Sequence, residues 1–179
     1  MSARNLTWAA MFVALTLVFD QLPAPPGKFG NLFRFIGFPV ILSGLVLGPT
    51  VGFLVGAVSD VLGYLIGPPP GPYFPGFTLT QATTGALPAF LFSWMNRSRP
   101  TEESRWTTLL KLTLAILVTK LLCSVVLVSF FLSKLYGIDP LLHAGPALLV
   151  ALVHCPLYAW LSLPLMRSLR RLRPGVGWS

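Results

Sequence analysis

Two charged side chains stand inside apolar runs of this chain: Asp60, within Thr50–Ile66, and Lys120, within Trp106–Leu135. A charge at the centre of a membrane helix costs about 2.5–3.5 kcal/mol on insertion scales, so such groups face a cavity, a ligand or each other. Asp60 and Lys120 therefore have two readings, a structural pair locking two segments or contacts to a ligand, and spacing does not separate them. Arg34 offers a guanidinium that could grip a carboxylate through two parallel hydrogen bonds; snorkelling to a membrane interface would serve it equally well. Tyr73, Phe74 and Phe77 can stack on a flat ring, and Thr78, Thr80 and Gln81 can orient it by hydrogen bonding. All but Gln81, which follows directly, belong to Gly67–Thr80, a stretch with five prolines and three glycines. Proline removes a backbone donor and fixes φ while glycine supplies turns, so a loop is expected there rather than helix or strand. Being stiff and apolar, with Pro75 among its wall residues, it is expected to form a lid or pocket wall for a ligand.

Other chemistries lack their residues. No nucleophile elbow, phosphate loop, zinc-protease helix or pair of facing carboxylates occurs, and Glu102 and Glu103 lie in a hydrophilic stretch among arginines. Without an ATP site, uphill transport would require a partner. Cys123 and Cys155 lie inside apolar runs, which suits packing rather than a disulfide or zinc framework. His154 and Cys155 are adjacent, so on a helix they point different ways; no metal and no cofactor is expected.

These residues have to be positioned by a chain that is 54% hydrophobic and 10% charged, with mean hydropathy +0.75. Soluble domains carry about 25% charged residues, and this much apolar surface calls for a lipid bilayer. An all-α integral membrane protein of one domain is expected, with six transmembrane helices over about 6–22, 35–48, 50–66, 78–96, 106–135 and 141–166. Two proline-glycine loops, 23–34 and 67–77, and a basic tail, 167–179, complete it. The second segment is short for a bilayer core about 30 Å thick and needs shielding by its neighbours. Arg4 before the first apolar run resembles a signal-peptide start, but Asp20, Pro23, Pro25 and Pro26 close that run without a small-residue cleavage site, so a retained first helix is expected. With the N-terminus cytoplasmic, nine Lys/Arg residues fall inside and three (Lys28, Arg34 and Lys134) outside. That bias places both termini in the cytoplasm and both proline-glycine loops on the outer face. The net charge of +8 is thus spent on topology, and no nucleic-acid partner is expected.

Small residues also form strips. Ala10 and Ala14 present a smooth helical face that suits packing inside the bundle or docking of another helix. Gly48, Gly52, Gly56, Ser59 and Gly63 make a ladder expected to pack against the second segment. Pro88 is expected to kink the fourth.

The chain resembles the substrate-binding membrane subunits (S components) of energy-coupling factor transporters, most closely the folate-type branch. The resemblance spans nearly the whole length and rests on Ala10 and Ala14, Gly44–Pro49, Gly56–Gly63 with Asp60, Leu135–Gly137, the Pro156 region and, most specifically, Gly71-Pro72-Tyr73-Phe74-Pro75-Gly76-Phe77-Thr78-Leu79. It implies a six-helix subunit in a prokaryotic cell membrane that captures a vitamin, folate or a related aromatic compound, from outside. It further implies a transmembrane coupling protein docked on Ala10 and Ala14, two cytoplasmic ABC-type ATPases, and a substrate loop at Tyr73–Thr80. The sequence departs from the folate type where asparagine and tryptophan are replaced by Val128 and Phe131, and arginine and lysine by Ala147 and Val150. Those basic residues suit a glutamate tail, so a smaller aromatic vitamin or pterin-like molecule fits better here, unless Arg34, Lys120 or His143 substitutes. A small membrane enzyme, with Asp60 and His154 as its thin candidate pair, and a ligand-free scaffold are the alternative classes.

Overall fold

The computed structural model describes residues 3–22, 35, 37–67, 71–97, 104–137 and 139–171, the side chains of 167, 170 and 171 excepted. Arg34 and the rest of the first proline-glycine loop lie outside the described residues, as do Pro68–Pro70, the hydrophilic connection 98–103 and the tail beyond 171. The chain forms the expected all-α bundle of six helices: α1 (Ala3–Gln21), α2 (Gly37–Leu47), α3 (Pro49–Ile66), α4 (Pro75–Arg97), α5 (Arg105–Tyr136) and α6 (Pro140–Arg171).

The helix ends follow local chemistry. Gly48 alone separates α2 from α3, at φ 102, a conformation in which a Cβ would be strained. Pro49 then opens α3, because the first helical N–H has no intrahelical partner and its loss removes nothing. Helix α4 starts at Pro75 for the same reason, so Pro75, Gly76 and Phe77, expected as loop, form its first turn. Gly137 closes α5 in the left-handed conformation, its N–H reaching the Ser133 carbonyl. Helix α6 continues to Arg171, past the expected end at 166; arginine is a good helix former, and the apolar run stops before the helix does.

Within α5, Leu121–Leu127 form a π-helical stretch, with the Val128 N–H bonded to the Cys123 carbonyl. Such stretches shift the angular register of a helix and often occur at functional sites. Nothing in that run of apolar residues announced it.

Among the described residues three helices, Pro49–Ile66, Arg105–Tyr136 and Pro140–Met166, are long and apolar enough to cross a membrane. Helices α1 and α4 reach the length, at 19 and 23 residues, but are more polar. Their buried threonines are satisfied within the helix: Thr16 donates to the Phe12 carbonyl, Thr80 to Gly76 and Thr84 to Thr80, each at 2.8 Å. A threonine so bonded can be buried in hydrocarbon at little cost. The outward faces carry Leu110, Leu114, Val118, Leu141 and Leu152, all exposed and suited to lipid. Exposed Trp94 and Trp106, at the end where α4 passes to α5, suit a headgroup belt.

Helix α2 is the hub. Its residues from Pro39 to Leu47 are all buried, and α1, α3, α4 and α6 enclose it. At about 1.5 Å per residue its 11 residues reach only half-way through a bilayer core. Backbone contact between glycines makes that burial possible. A Cβ on Gly52 would stand 2.5 Å from the Gly44 Cα, and one on Gly85 would stand 2.7 Å from the Gly52 carbonyl carbon, so α2, α3 and α4 touch main chain to main chain. The glycine ladder of α3 meets more than α2. Gly56 faces Ala82 of α4 and Gly63 faces Leu17 and Asp20 of α1. Each step of four residues turns about 40° around the helix, so successive rungs reach different neighbours.

Gly85→Ala should lower the unfolding midpoint in detergent, since overpacking a tight contact costs about 1–3 kcal/mol. Gly145→Ala is the control, because its Cβ would meet nothing within 4 Å; it should leave the midpoint unchanged or slightly raised.

Candidate ligand site

Helix α3 ends and α4 begins at one end of the bundle, with the C-terminus of α5 beside them. Three sets of contacts pin the connection there. The Thr78 hydroxyl donates to the Asp60 carboxylate (Oγ1–Oδ2 2.6 Å), and the Tyr73 hydroxyl lies 2.5 Å from Thr78 Oγ1. A hydroxyl has one proton, and that of Thr78 is spent on Asp60, so Tyr73 is the donor to Thr78. The Tyr64 hydroxyl donates to the Gly71 carbonyl at 3.2 Å, and its ring meets Tyr73 edge-on at 5.2 Å. Gly71 itself stands at φ 140 directly against the Tyr136 hydroxyl. Finally, Phe74, Phe77 and Phe131 form an edge-to-face triangle with centroid separations of 5.2, 5.7 and 6.1 Å. The loop is thereby tied to α3 by hydrogen bonds and to α5 by aromatic packing.

Among the residues expected to bind, Tyr73 and Pro75 are exposed, and Phe74, Phe77, Thr78 and Gln81 are partly buried. Thr80 is buried and its proton is taken by the Gly76 carbonyl, which leaves it only as an acceptor. Sequence reasoning did not assign Tyr64, Tyr136 or Phe131 to this end; their signal was aromatic placement near the ends of α3 and α5.

Asp60 and Lys120 do not pair. The Asp60 carboxylate is taken by Thr78 of α4, and α4 packs against both α3 and α5, the helices that carry the two charges. The Lys120 ammonium sits over the Tyr158 ring, 5.6 Å from its centroid, where cation–π attraction supplies part of its stabilisation. Tyr158 stacks on His154 at 5.0 Å, and Phe35 and Phe38 close the cluster, Phe35 at 5.2 Å from His154 and Phe38 at 5.4 Å from Tyr158. Tyr158 thus belongs to a second constellation, deeper than the loop, that spacing alone did not reveal. His143 is engaged elsewhere, 3.0 Å from the Ser129 hydroxyl, where it links α6 to α5. Cys123 and Cys155 are buried free thiols. Among the described residues no cluster of His, Cys, Asp or Glu could hold a metal ion.

Ala10 and Ala14 lie on the exposed side of α1 together with Met11, Leu15 and Val18, while Ala9, Phe12 and Thr16 face inward. The alanine strip is therefore not used for packing within the bundle.

A family model for the substrate-specific component of ECF transporters matches residues 4–166. The chain belongs to that family. It is a family of transporter components and not of enzymes. Over 85 residues the S component is 42% identical to the folate transporter FolT of Clostridium novyi, covering 46% of each chain. Over 65 residues it is 43% identical to the probable biotin transporter BioY of Pyrococcus horikoshii, covering 36% of this chain and 39% of that one. It thus matches less than half the length of these curated relatives. Among solved structures it is similar to FolT bound with folic acid, with a TM-score of 0.67 and 27% identity over 90% of this chain and 95% of that one. The S component of a bacterial ECF transporter superposes with a TM-score of 0.65 over 98% and 100% of the two chains; at 19% identity that likeness speaks for the fold.

Asp60→Ala should loosen the loop of this S component, since a hydrogen bond to a charged group contributes about 1.5–3 kcal/mol. Hydrogen exchange at the amides of Gly71, Tyr73 and Phe74 should accelerate about tenfold or more, and Thr78→Val should do the same. Unchanged exchange in both would mean that the aromatic triangle alone holds the loop.

Proposed function

We propose that the protein captures a vitamin, folate or a related aromatic compound, at the outer face of a prokaryotic cell membrane and delivers it inward as part of an ECF-type importer. The observation that carries this is the pinned aromatic loop: Tyr73, Phe74 and Phe77 held by Asp60, Thr78, Tyr64 and Phe131 over one end of a membrane bundle with the S-component fold. A loop held in place by the protein's own contacts loses less conformational entropy when a ligand binds, which suits a capture site better than a ligand-free scaffold. FolT, solved with folic acid, supports a flat-ringed ligand.

In this proposal Tyr73, Phe74, Pro75 and Phe77 shape the entrance, Thr78, Thr80 and Gln81 line the top of α4, and Lys120 supplies charge at depth. Arg34, outside the described residues, joins them from the first loop. Both termini face the cytoplasm, in line with nine Lys/Arg residues on that side against three on the other. A transmembrane coupling protein docks on Ala10 and Ala14, whose exposure on α1 leaves them accessible, and two ABC-type ATPases drive it. Small side chains let two helices approach closely in lipid, where packing rather than hydrophobicity drives association.

Titration calorimetry of the purified protein against folate, a pterin and other vitamins tests the capture; a folded protein that binds none of them refutes it. Phe74→Ala should weaken the binding found, aromatic pairs being worth about 0.5–1.5 kcal/mol beyond their burial. Ala14→Trp should leave ligand affinity intact and abolish uptake into cells, since an indole there would hold the coupling protein off. Normal uptake by that variant would move the docking face elsewhere.

A further inference from the structure

Among the described residues Lys120 has no counter-charge inside the protein. The chain has five acidic residues. Asp60 is bound to Thr78, Asp20 lies beside Gly63 on α1, and Asp139 is exposed at the start of α6. Glu102 and Glu103 belong to the connection at the opposite end of α5 from Tyr136. What Lys120 does meet is the start of α2: a Cβ on Gly37 would stand 2.9 Å from Lys120 Nζ and 3.9 Å from the Tyr158 ring. That is the positive end of a helix, where N–H groups are left without intrahelical acceptors. A cation beside it is electrostatically mismatched.

A further observation points the same way. Tyr158 is fully buried, and its hydroxyl has no hydrogen-bond partner. An ammonium has three donors and no acceptor, and a phenol is a donor as well. At the head of α2 the Phe38 N–H is taken by the Phe35 carbonyl and Pro39 has none, so the ammonium, the Gly37 amide and the phenol are the groups that meet here, with no anionic acceptor among them. The missing component is an acceptor, and a negative one would also neutralise Lys120. Helix N-termini bind anions by this combination of free amides and dipole.

We propose that Lys120 Nζ, the N-terminus of α2 at Gly37 and Tyr158 Oη form an anion subsite that receives a carboxylate of the substrate, whose apolar body lies against Phe35 and Phe38. This rests on the capture function and narrows its substrate to acids: the charged end goes deep, beneath the loop that closes over the remainder. The deep position also explains how an acidic vitamin could be held without the basic residues absent at Ala147 and Val150. Gly37 is part of the device, since any side chain there would take the space in which Lys120 stands.

Matched acid and amide probes test it: nicotinate against nicotinamide and biotin against biotin amide, with folic acid in addition, titrated calorimetrically into the full chain in detergent. The wild type should bind the acid of at least one pair tenfold or more tightly than its amide. Lys120→Met should remove that preference, and Tyr158→Phe, which keeps the ring and deletes only the hydroxyl, should reduce it at least threefold. Should Lys120→Met fail to fold, Tyr158→Phe decides alone. Equal binding of acids and amides, or an undiminished preference in the variants, overturns the subsite while leaving the capture function standing. Binding of none of these probes to folded protein overturns both.

Discussion

Main-chain contact between Gly44, Gly52 and Gly85 is the constraint on which the bundle depends. In lipid there is little hydrophobic force pulling one apolar helix onto another, so association rests on close van der Waals packing. Glycine permits the closest approach there is. It lets α2 sink among α1, α3, α4 and α6 until its residues from Pro39 onward are buried, and that enclosure makes an 11-residue helix tenable in a membrane protein.

The same constraint prepares the site. Because α2 is short and central, its first turn lies inside the protein instead of at a surface, beside Lys120 and Tyr158. A longer helix would carry the Gly37 amide and the positive end of the helix out to the interface, where water would screen them. Held at depth, they contribute a positive field in a medium that screens it weakly. The π-helical stretch from Leu121 begins immediately after Lys120 and resets the register of α5, so that one helix serves the deep cluster through Lys120 and the loop through Phe131.

The loop end answers to a different logic. Asp60 is a carboxylate at the edge of the apolar region, and it is used to fix the protons of a short hydroxyl relay: Tyr73 donates to Thr78 and Thr78 donates to Asp60. A carboxylate only accepts, which makes the direction of the relay single-valued. The phenol of Tyr73 is thereby turned toward the bundle while its ring remains 40% exposed, and the aromatic wall is ordered ahead of any ligand. Pre-ordering of this kind lowers the entropy lost on binding.

Much of this was legible in the sequence. Apolar runs between proline-glycine breaks define six helices, because a bilayer requires each spanning backbone to satisfy its own hydrogen bonds, and the density of proline from 68 to 75 marks the loop. Gly71–Leu79 carries the resemblance to the S components, within the stretch that the family model matches. What the sequence could not decide depends on distances between segments. Asp60 and Lys120 look like partners as the two charges inside apolar runs, yet each is engaged elsewhere, Asp60 by Thr78 and Lys120 by the Tyr158 ring. Pro75 reads as loop and is the first turn of α4, since the N–H that proline lacks has no intrahelical partner at a helix start. Tyr158 gives no sign in an apolar run, and only the packing of α6 against α2 and α5 brings its ring under the Lys120 ammonium. Residue chemistry and periodicity act along the chain and can be read there; the meeting of one helix's start with another helix's charge is set by how closely glycines let the helices approach, and that exists only in the folded bundle.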